Sequence, residues 1–466
     1  MTSVTAARLA SILGTWRSAS PAYAALADRI RLVIADGRVA HGARLPAERD
    51  LAAALQVSRT TVAAAYARLR ELGTIESRQG SGSYVSPGSR PAAGDSALAV
   101  AFDLTKAAMP AASAVGECFR IAAGNIGPEL SGSGYEIVGH PALRLAIAEH
   151  YRGRGVPTDP EQIVVTSGAQ HAIALLTRLL VSPGDRALIE QPTYPHAIDA
   201  LLAVRARPVP LPVTPDWGWD LVEAESALRN AAPVLGYVMP DFQNPTGASL
   251  SDEDRAKLAR AADRHGTVLI ADETTMWLDL GRGHRDPLAK ASPSVVTVGS
   301  LGKLAWGGLR VGWIRASRNL VTRLVQARTS MDLGTPVFEQ LVAVELLHRE
   351  EQLVAERRAQ LAHGLEALRS SVAENFPDWQ LPACDGGLAL WLNCAPWSSS
   401  ELVLAAQEEG LALTAGPRFG LHGAFESRLR LPFTDAPVTV TAAVQALRRA
   451  ADRRASGTVK EPLVAV

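Results

Sequence analysis

Near the N-terminus apolar side chains recur at helical spacing: Tyr23, Leu26, Ile30, Val33 and Ile34, with Asp36-Gly37 ending the run. That period predicts an amphipathic helix. A loop, His41-Gly42-Ala43-Arg44, leads into Leu45-Pro46-Ala47-Glu48-Arg49-Asp50-Leu51-Ala52, where proline suits the first turn of a second helix ending near Leu55. Gln56-Val57 forms a short turn, Ser58 is a good N-cap, and Val62, Tyr66, Leu69 and Leu72 give a third helix its inward face before Gly73. Residues 74–77 and 83–85 read as two short strands joined by the turn-rich Arg78-Gln79-Gly80-Ser81-Gly82. Three helices and a hairpin, over residues 21–85, predict a winged helix-turn-helix.

Residues 86–101 are small, proline- and glycine-containing and without strong period, as in an inter-domain linker. Beyond Phe102 brief apolar runs at 162–166, 186–189, 234–239, 268–271 and 295–298 alternate with helical stretches. That alternation predicts an α/β fold built on a largely parallel sheet covered on both faces. After about Pro336 long helical patterns give way to strands at 386–391 and 429–433, predicting a smaller terminal domain within a 102–455 unit.

Composition sharpens the reading. A chain of 466 residues, 47% apolar, is long enough for two or three cores. No apolar run reaches the roughly 20 residues of a membrane span, and the first residues lack a signal pattern, which points to the cytoplasm. Cys118, Cys384 and Cys394 are far apart and show no metal-ligand spacing, so they are expected as reduced thiols, with no metal site. The chain balances 47 basic against 47 acidic residues, but residues 21–85 hold nine arginines and six acids. That local excess suits a phosphate backbone. Only five lysines occur, Lys106, Lys257, Lys290, Lys303 and Lys460, so lysine chemistry has few candidates.

In helix-turn-helix proteins the N-terminal end of the second helix of the motif enters the major groove. Ser58-Arg59-Thr60-Thr61 occupies that end. Arg59 has the fork geometry for guanine, Ser58 and Thr61 suit phosphates, Arg49 lies on the preceding helix, and Gly80 is in the hairpin tip. Taken singly, each reads better as part of a capped surface helix with incidental arginines. The whole run, Leu45 to Ala52, then Val57-Ser58-Arg59-Thr60-Thr61-Val62, then Gln79-Gly80-Ser81-Gly82-Ser83, resembles the winged helix of the GntR family. The resemblance implies DNA-contact roles for Arg49, Ser58, Arg59, Thr61 and Gly80. Ala63 departs from relatives that carry a further arginine after the threonine pair.

The larger part offers what pyridoxal phosphate needs: an amine, a carboxylate for the ring nitrogen, phosphate donors and a flat group over the ring. Residues 294–299 form an apolar strand leading to Ser300-Leu301-Gly302-Lys303, then Gly307-Gly308-Leu309-Arg310. Asp272 ends another strand, Asn244 sits in Asn-Pro-Thr-Gly, Ser167-Gly168-Ala169 opens a helix, and Tyr194 follows Pro192-Thr193. Each has a plain alternative as turn, cap or core, but their order at strand ends resembles fold-type I aminotransferases from about Phe102 to Ala450, including Tyr135 and Gly139-His140-Pro141. The resemblance implies that Lys303 carries the cofactor and that Asp272 and Asn244 hold the ring. It further implies that Ser167, Gly168, Ala169, Ser300 and Arg310 bind phosphate, Tyr194 stacks, and Arg430 meets a substrate carboxylate. Thr274 and Thr275 stand where the family usually has a tyrosine, which bears on catalysis.

Both halves in this order resemble the MocR subfamily of GntR regulators. The expected protein is a homodimeric regulator that binds an operator in double-stranded DNA and senses an amino-acid-like effector. The resemblance further suggests that the winged helix of one chain rests on the other's large domain. A working aminotransferase with an appended DNA-binding domain, and a regulator with a vestigial cofactor pocket, are the competing readings.

Overall fold

The computed structural model describes residues 3–14, 16–17, 21–35, 38–78, 82–86 and 100–455. The N-terminal head comprises α1 (Ala6–Leu13), α2 (Ala22–Ala35), α3 (Glu48–Leu55), α4 (Arg59–Glu71) and a hairpin of β1 (Ile75–Arg78) and β2 (Gly82–Val85). Helices α2 to α4 with the hairpin form a winged helix. The local causes are those read from the chain: Ser58 accepts from the Thr61 amide as N-cap of α4, and Gln56, at φ 54°, turns the chain out of α3. The turn residues Asp36-Gly37 and Gln79-Gly80-Ser81 and linker residues 87–99 lie outside the described residues.

Helix α1 has no counterpart among the predicted elements. It is only two turns long, so two inward residues, Leu9 and Leu13, are too few to reveal a period, yet both are buried with Trp16, Leu26, Ile30 and Tyr66 in the head's core. Thr5 caps it, and the Val4 amide pairs with the Arg44 carbonyl at 3.0 Å, tying the segment to the loop before α3.

The body opens with β3 (Phe102–Asp103), α5 (Val115–Asn125) and α6 (Pro141–Gly153). Strand–helix alternation follows: β4 (Ile163–Thr166), α7 (Ala169–Leu180), β5 (Arg186–Gln191), α8 (Pro195–Ala203), β6 (Arg207–Thr214), β7 (Gly218–Trp219), α9 (Leu221–Ala231), β8 (Leu235–Val238), α10 (Asp252–Arg264), β9 (Val268–Asp272), α11 (Leu288–Ala291), β10 (Val296–Ser300), β11 (Gly312–Arg315) and α12 (Arg318–Arg328). The sheet order is β4-β11-β10-β9-β8-β5-β6-β7, parallel through β10-β9-β8-β5-β6, with β11 antiparallel to β10 and β4. Alternate residues feed two apolar cores: Ile163, Val165, Leu188 and Ala271 face one layer of helices, and Val164, Ala187, Ile189 and Ile270 the other.

Strand β6 escapes the sequence pattern because Pro208, Pro210 and Pro212 alternate along it. Alternate backbone groups point to one side, so all three donor-less nitrogens face away from β5, toward an edge that β7 covers only at Val213 and Thr214.

The chain continues through α13 (Val337–Leu347) and α14 (Glu350–Asn375) into a smaller unit: β12 (Ala389–Asn393), α15 (Ser399–Gln407), β13 (Leu411–Ala412), β14 (Arg428–Pro432) and α16 (Pro437–Ala455). Strand β12 starts three residues later than the sequence suggests because Gly386 and Gly387 turn the chain ahead of it. Strands β12 and β14 pair antiparallel, setting Trp391 opposite Arg430. The head meets this smaller unit of its own chain: Leu32 of α2 is buried in one core with Leu402 and Val403 of α15.

Candidate functional site

Parallel strands pointing the same way bring the loops after their carboxyl ends together, where α/β sheets hold ligands. Asp272 ends β9, Asn244 lies in the turn after β8, Ser300 ends β10 with Lys303 just beyond it, Ser167 to Ala169 link β4 to α7, and Tyr194 follows β5. Arg430, on β14, comes from the smaller unit and reaches the same place: its Nη1 lies 3.4 Å from Asn244 Oδ1, and its Nη2 donates to the Thr105 carbonyl at 2.7 Å.

At the ring end, Asp272 is buried and held on both oxygens. The Thr274 amide (3.0 Å) and hydroxyl (2.6 Å) donate to Oδ1, and the Tyr237 hydroxyl donates to Oδ2 at 2.6 Å. Burial raises its carboxyl above the usual range against these bonds. The Lys303 ammonium donates to the Ala107 carbonyl. Burial, then the nearby Arg430 cation, pull its pKa down to about 8 against the attraction of Asp272. A free amine is therefore populated close to neutrality. Burial and Asp272 push the Tyr194 phenol up to about 12, so it is a neutral ring there.

At the phosphate end, Ser167, Gly168 and Ala169 begin α7, whose first amides are unsatisfied within the helix. Gly168 sits at φ 84°, and a Cβ there would lie 2.7 Å from an Arg310 nitrogen, so only glycine lets that guanidinium close over the turn. Arg310 Nη2 donates to the Ser167 carbonyl at 2.9 Å, and the Ser300 hydroxyl accepts from the Gly302 amide at 3.0 Å. The aromatic ring, the carboxylate, the amine and the anion-binding helix start fit pyridoxal phosphate. Arg430 adds a buried guanidinium whose hydrogen-bond partners among the described residues are an amide oxygen and a backbone carbonyl rather than a carboxylate, and its Nε has no hydrogen-bond partner there. Burial lowers its pKa to about 10.

The two threonines in place of the usual tyrosine are committed elsewhere: Thr274 to Asp272, and Thr275 to the Asp241 carbonyl at 2.6 Å. Neither hydroxyl substitutes for a phenol pointing at the cofactor's oxygen.

On the head, Ser58 and Arg59, at the N-terminal end of α4, are exposed and Thr61 in its first turn is half-buried, while Arg49 is exposed in the first turn of α3. Ser58 Oγ is shared between the Thr61 amide (3.1 Å) and the hydroxyls of Thr60 (2.7 Å) and Thr61 (2.8 Å), and Arg59 Nε lies 3.5 Å from Glu48. Gly80 lies outside the described residues.

Sequence reasoning missed two buried positioning residues. Tyr237 looks like one more apolar strand residue until its hydroxyl is seen on Asp272. Glu190, at the end of β5, accepts from Trp219 Nε1 (2.7 Å), the Met239 amide (3.0 Å) and Gln243 Nε2 (3.2 Å), tying the turn that carries Asn244 to the one that carries Tyr194. Its only signal is an acid inside an apolar run.

This geometry defines a class: a winged-helix head joined to an aminotransferase-type body. Comparison with known proteins agrees. Residues 130–447 match the aminotransferase class I and II family, and residues 22–85 match the bacterial regulatory proteins of the gntR family. The chain belongs to the aminotransferase class I and II family and carries a GntR head, the arrangement of the MocR subfamily. It is 28% identical over 430 residues to the HTH-type transcriptional regulator YdcR of Escherichia coli, spanning 85% of this chain and 92% of the relative. It is 33% identical over 328 residues to the probable rhizopine catabolism regulatory protein MocR of Rhizobium meliloti, spanning 63% and 65%. Among solved structures, the α-aminoadipate aminotransferase LysN of Thermus thermophilus, complexed with N-(5'-phosphopyridoxyl)-L-leucine, superimposes with a TM-score of 0.70 at 25% identity, covering 77% of this chain and 93% of that one.

Proposed function

We propose that this protein is a cytoplasmic, homodimeric transcription regulator that holds pyridoxal phosphate on Lys303 and responds to an amino compound bearing a carboxylate. The observation that carries the reading is Arg430: a buried cation with an unsatisfied Nε, beside Asn244 and Lys303, in a chain whose head exposes Arg59 at the start of α4 and Arg49 on α3 for DNA.

Pyridoxal phosphate supplies an aldehyde that exchanges one amine for another. The residues around it have separable tasks. Asp272, fixed by Thr274 and Tyr237, presents a carboxylate to a ring N–H. Ser167 to Ala169, Ser300 and Arg310 hold the phosphate. Lys303 would supply the amine that holds the cofactor and that an incoming amine would displace, and Arg430 would select those with a carboxylate. The body then changes the fit of the paired heads to operator half-sites.

The test is an absorbance spectrum of the purified protein with pyridoxal phosphate, before and after a panel of amino acids, beside gel-shift binding to its own upstream DNA. A band that shifts with one amine while DNA binding changes supports the reading. DNA binding with no cofactor band overturns it. The lowered Lys303 pKa favours a second reading, a working aminotransferase, which keto acid formation at enzyme-like rates would support; the Thr275 contact argues against it.

A further inference from the structure

Arg29 is a buried cation in α2 that crosses from the head into the body. Its Nε donates to the Leu13 carbonyl (3.0 Å), and its Nη1 reaches Ser400 Oγ (3.0 Å) and the Glu426 carboxylate (3.2 Å). The other Glu426 oxygen accepts from the Ser398 hydroxyl (2.6 Å) and the Ser400 amide (3.1 Å), so this carboxylate sits on the N-terminal end of α15, where the helix dipole favours it. Alongside, the backbones nearly touch: a Cβ on Gly14, which ends α1, would lie 1.8 Å from the His422 carbonyl oxygen.

Glu426 belongs to a loop whose two ends lie in the cofactor site. Upstream, Phe419 lies 4.9 Å beneath the Arg430 guanidinium, and its carbonyl accepts from the Thr193 amide (2.8 Å), next to Tyr194. Downstream, the chain enters β14 and reaches Arg430 four residues after Glu426. Trp391 bridges the loop, with its ring 5.3 Å from Phe419 and 5.9 Å from Phe425. Within the loop His422 (φ 54°) and Phe425 (φ 71°) both hold a left-handed backbone that such residues rarely adopt, so their conformation depends on what surrounds them.

We propose that residues 416–428 communicate occupancy of the Arg430 pocket to the head, with the Arg29–Glu426 contact as the joint. This rests on the sensing reading above and adds the route. A carboxylate in the pocket takes over the guanidinium now shared by Thr105, Asn244 and the Phe419 face. Close packing passes the displacement of Phe419 through Trp391 and Phe425 rather than absorbing it. The docked faces are α1 and α2, while Arg49, Ser58 and Arg59 stay exposed. The device therefore changes how firmly, and at what angle, the head is held, without covering its DNA surface.

The experiment is hydrogen exchange on the full-length protein, with and without N-(5'-phosphopyridoxyl)-L-leucine as a non-reacting probe, for wild type, Arg29→Met and Glu426→Gln. In wild type the probe should change exchange both in residues 416–428 and in α1–α2, by roughly fivefold or more, the lower end of usual coupling. In either variant the loop should still respond while α1–α2 fall silent, and Glu426→Gln keeps the shape if Arg29→Met loosens the head. A bound probe with a silent wild-type head, or a head response unchanged in both variants, overturns the route alone. A probe that does not bind overturns the sensing reading and the route with it.

Discussion

Head and body solve the problem of presenting chemistry in opposite ways. The head displays its described side chains from the starts of two successive helices, Arg49 on α3 and Ser58 to Thr61 at α4, and leaves most of them in water. The body gathers its own from five strand ends and a second unit, across more than 260 residues, burying Asp272, Ser300 and Arg430 and half-burying Lys303, Asn244 and Tyr194. Burial gives the body shifted proton affinities: Lys303 falls to about 8 and Arg430 to about 10, whereas Arg49 and Arg59 stay exposed on the head. Chemistry in the body is therefore inseparable from its packing, and recognition on the head is nearly independent of it.

The strongest way to break that contrast is Lys303→Ala. Borohydride trapping of pyridoxal phosphate, read by mass spectrometry, should drop from complete to none; a trapped adduct on another lysine refutes the assignment. In wild type the same site carries a pH signature. A lysine titrating near 8 in the folded chain and near ~10.4 when unfolded leaves the unfolded state with more protons in between. Stability of the cofactor-free protein relative to Lys303→Met should thus rise as pH goes from about 8 toward 10, and cofactor capture should accelerate through a midpoint near 8. A midpoint above about 10 would show an ordinary, solvated amine.

Next in size is Asp241→Asn. This buried carboxylate accepts from Arg255 (2.6 Å) and Arg282 (2.5 Å), which hold it below the usual range although burial alone would raise it. Neutralising it strands two buried guanidinium groups and should cost about 3–5 kcal/mol in denaturant unfolding of the body. It should also weaken cofactor binding, because Asp241 anchors the turn that carries Asn244. A loss below about 1 kcal/mol would place the pair in solvent and blunt the contrast with the head.

Much of this was legible in the chain, unevenly. The winged helix could be read because its signals are local: Ser58 caps, Tyr66 and Leu69 face inward, and the turns are marked by glycine. The sheet could be read where strands are apolar runs, and failed at β6, whose prolines mimic a loop, and at α1, too short to show a period. The positions of Lys303, Asp272 and Asn244 follow from strand ends, but their partners do not. Nothing in sequence spacing tells that Tyr237 meets Asp272 across neighbouring strands, or that Arg29 meets Glu426 nearly 400 residues away, because those contacts are set by sheet order and docking.

The smallest expected effect tests the head's side of the comparison. Arg59 is mostly exposed, and its contact with Glu48 at 3.5 Å is a surface pair of the kind that contributes little to folding. Arg59→Ala should therefore leave the unfolding midpoint within about 0.5 kcal/mol of wild type. Operator binding should weaken by about 1–3 kcal/mol, and discrimination among sequences should relax at one base position, as expected for a lost contact to a base edge. A uniform loss across all sequences, with a shallower salt dependence, would instead make Arg59 a phosphate contact and move base reading elsewhere on α4. A large loss of stability would show that the N-terminal end of α4 is braced by this side chain, and the separation of recognition from packing in the head would no longer stand.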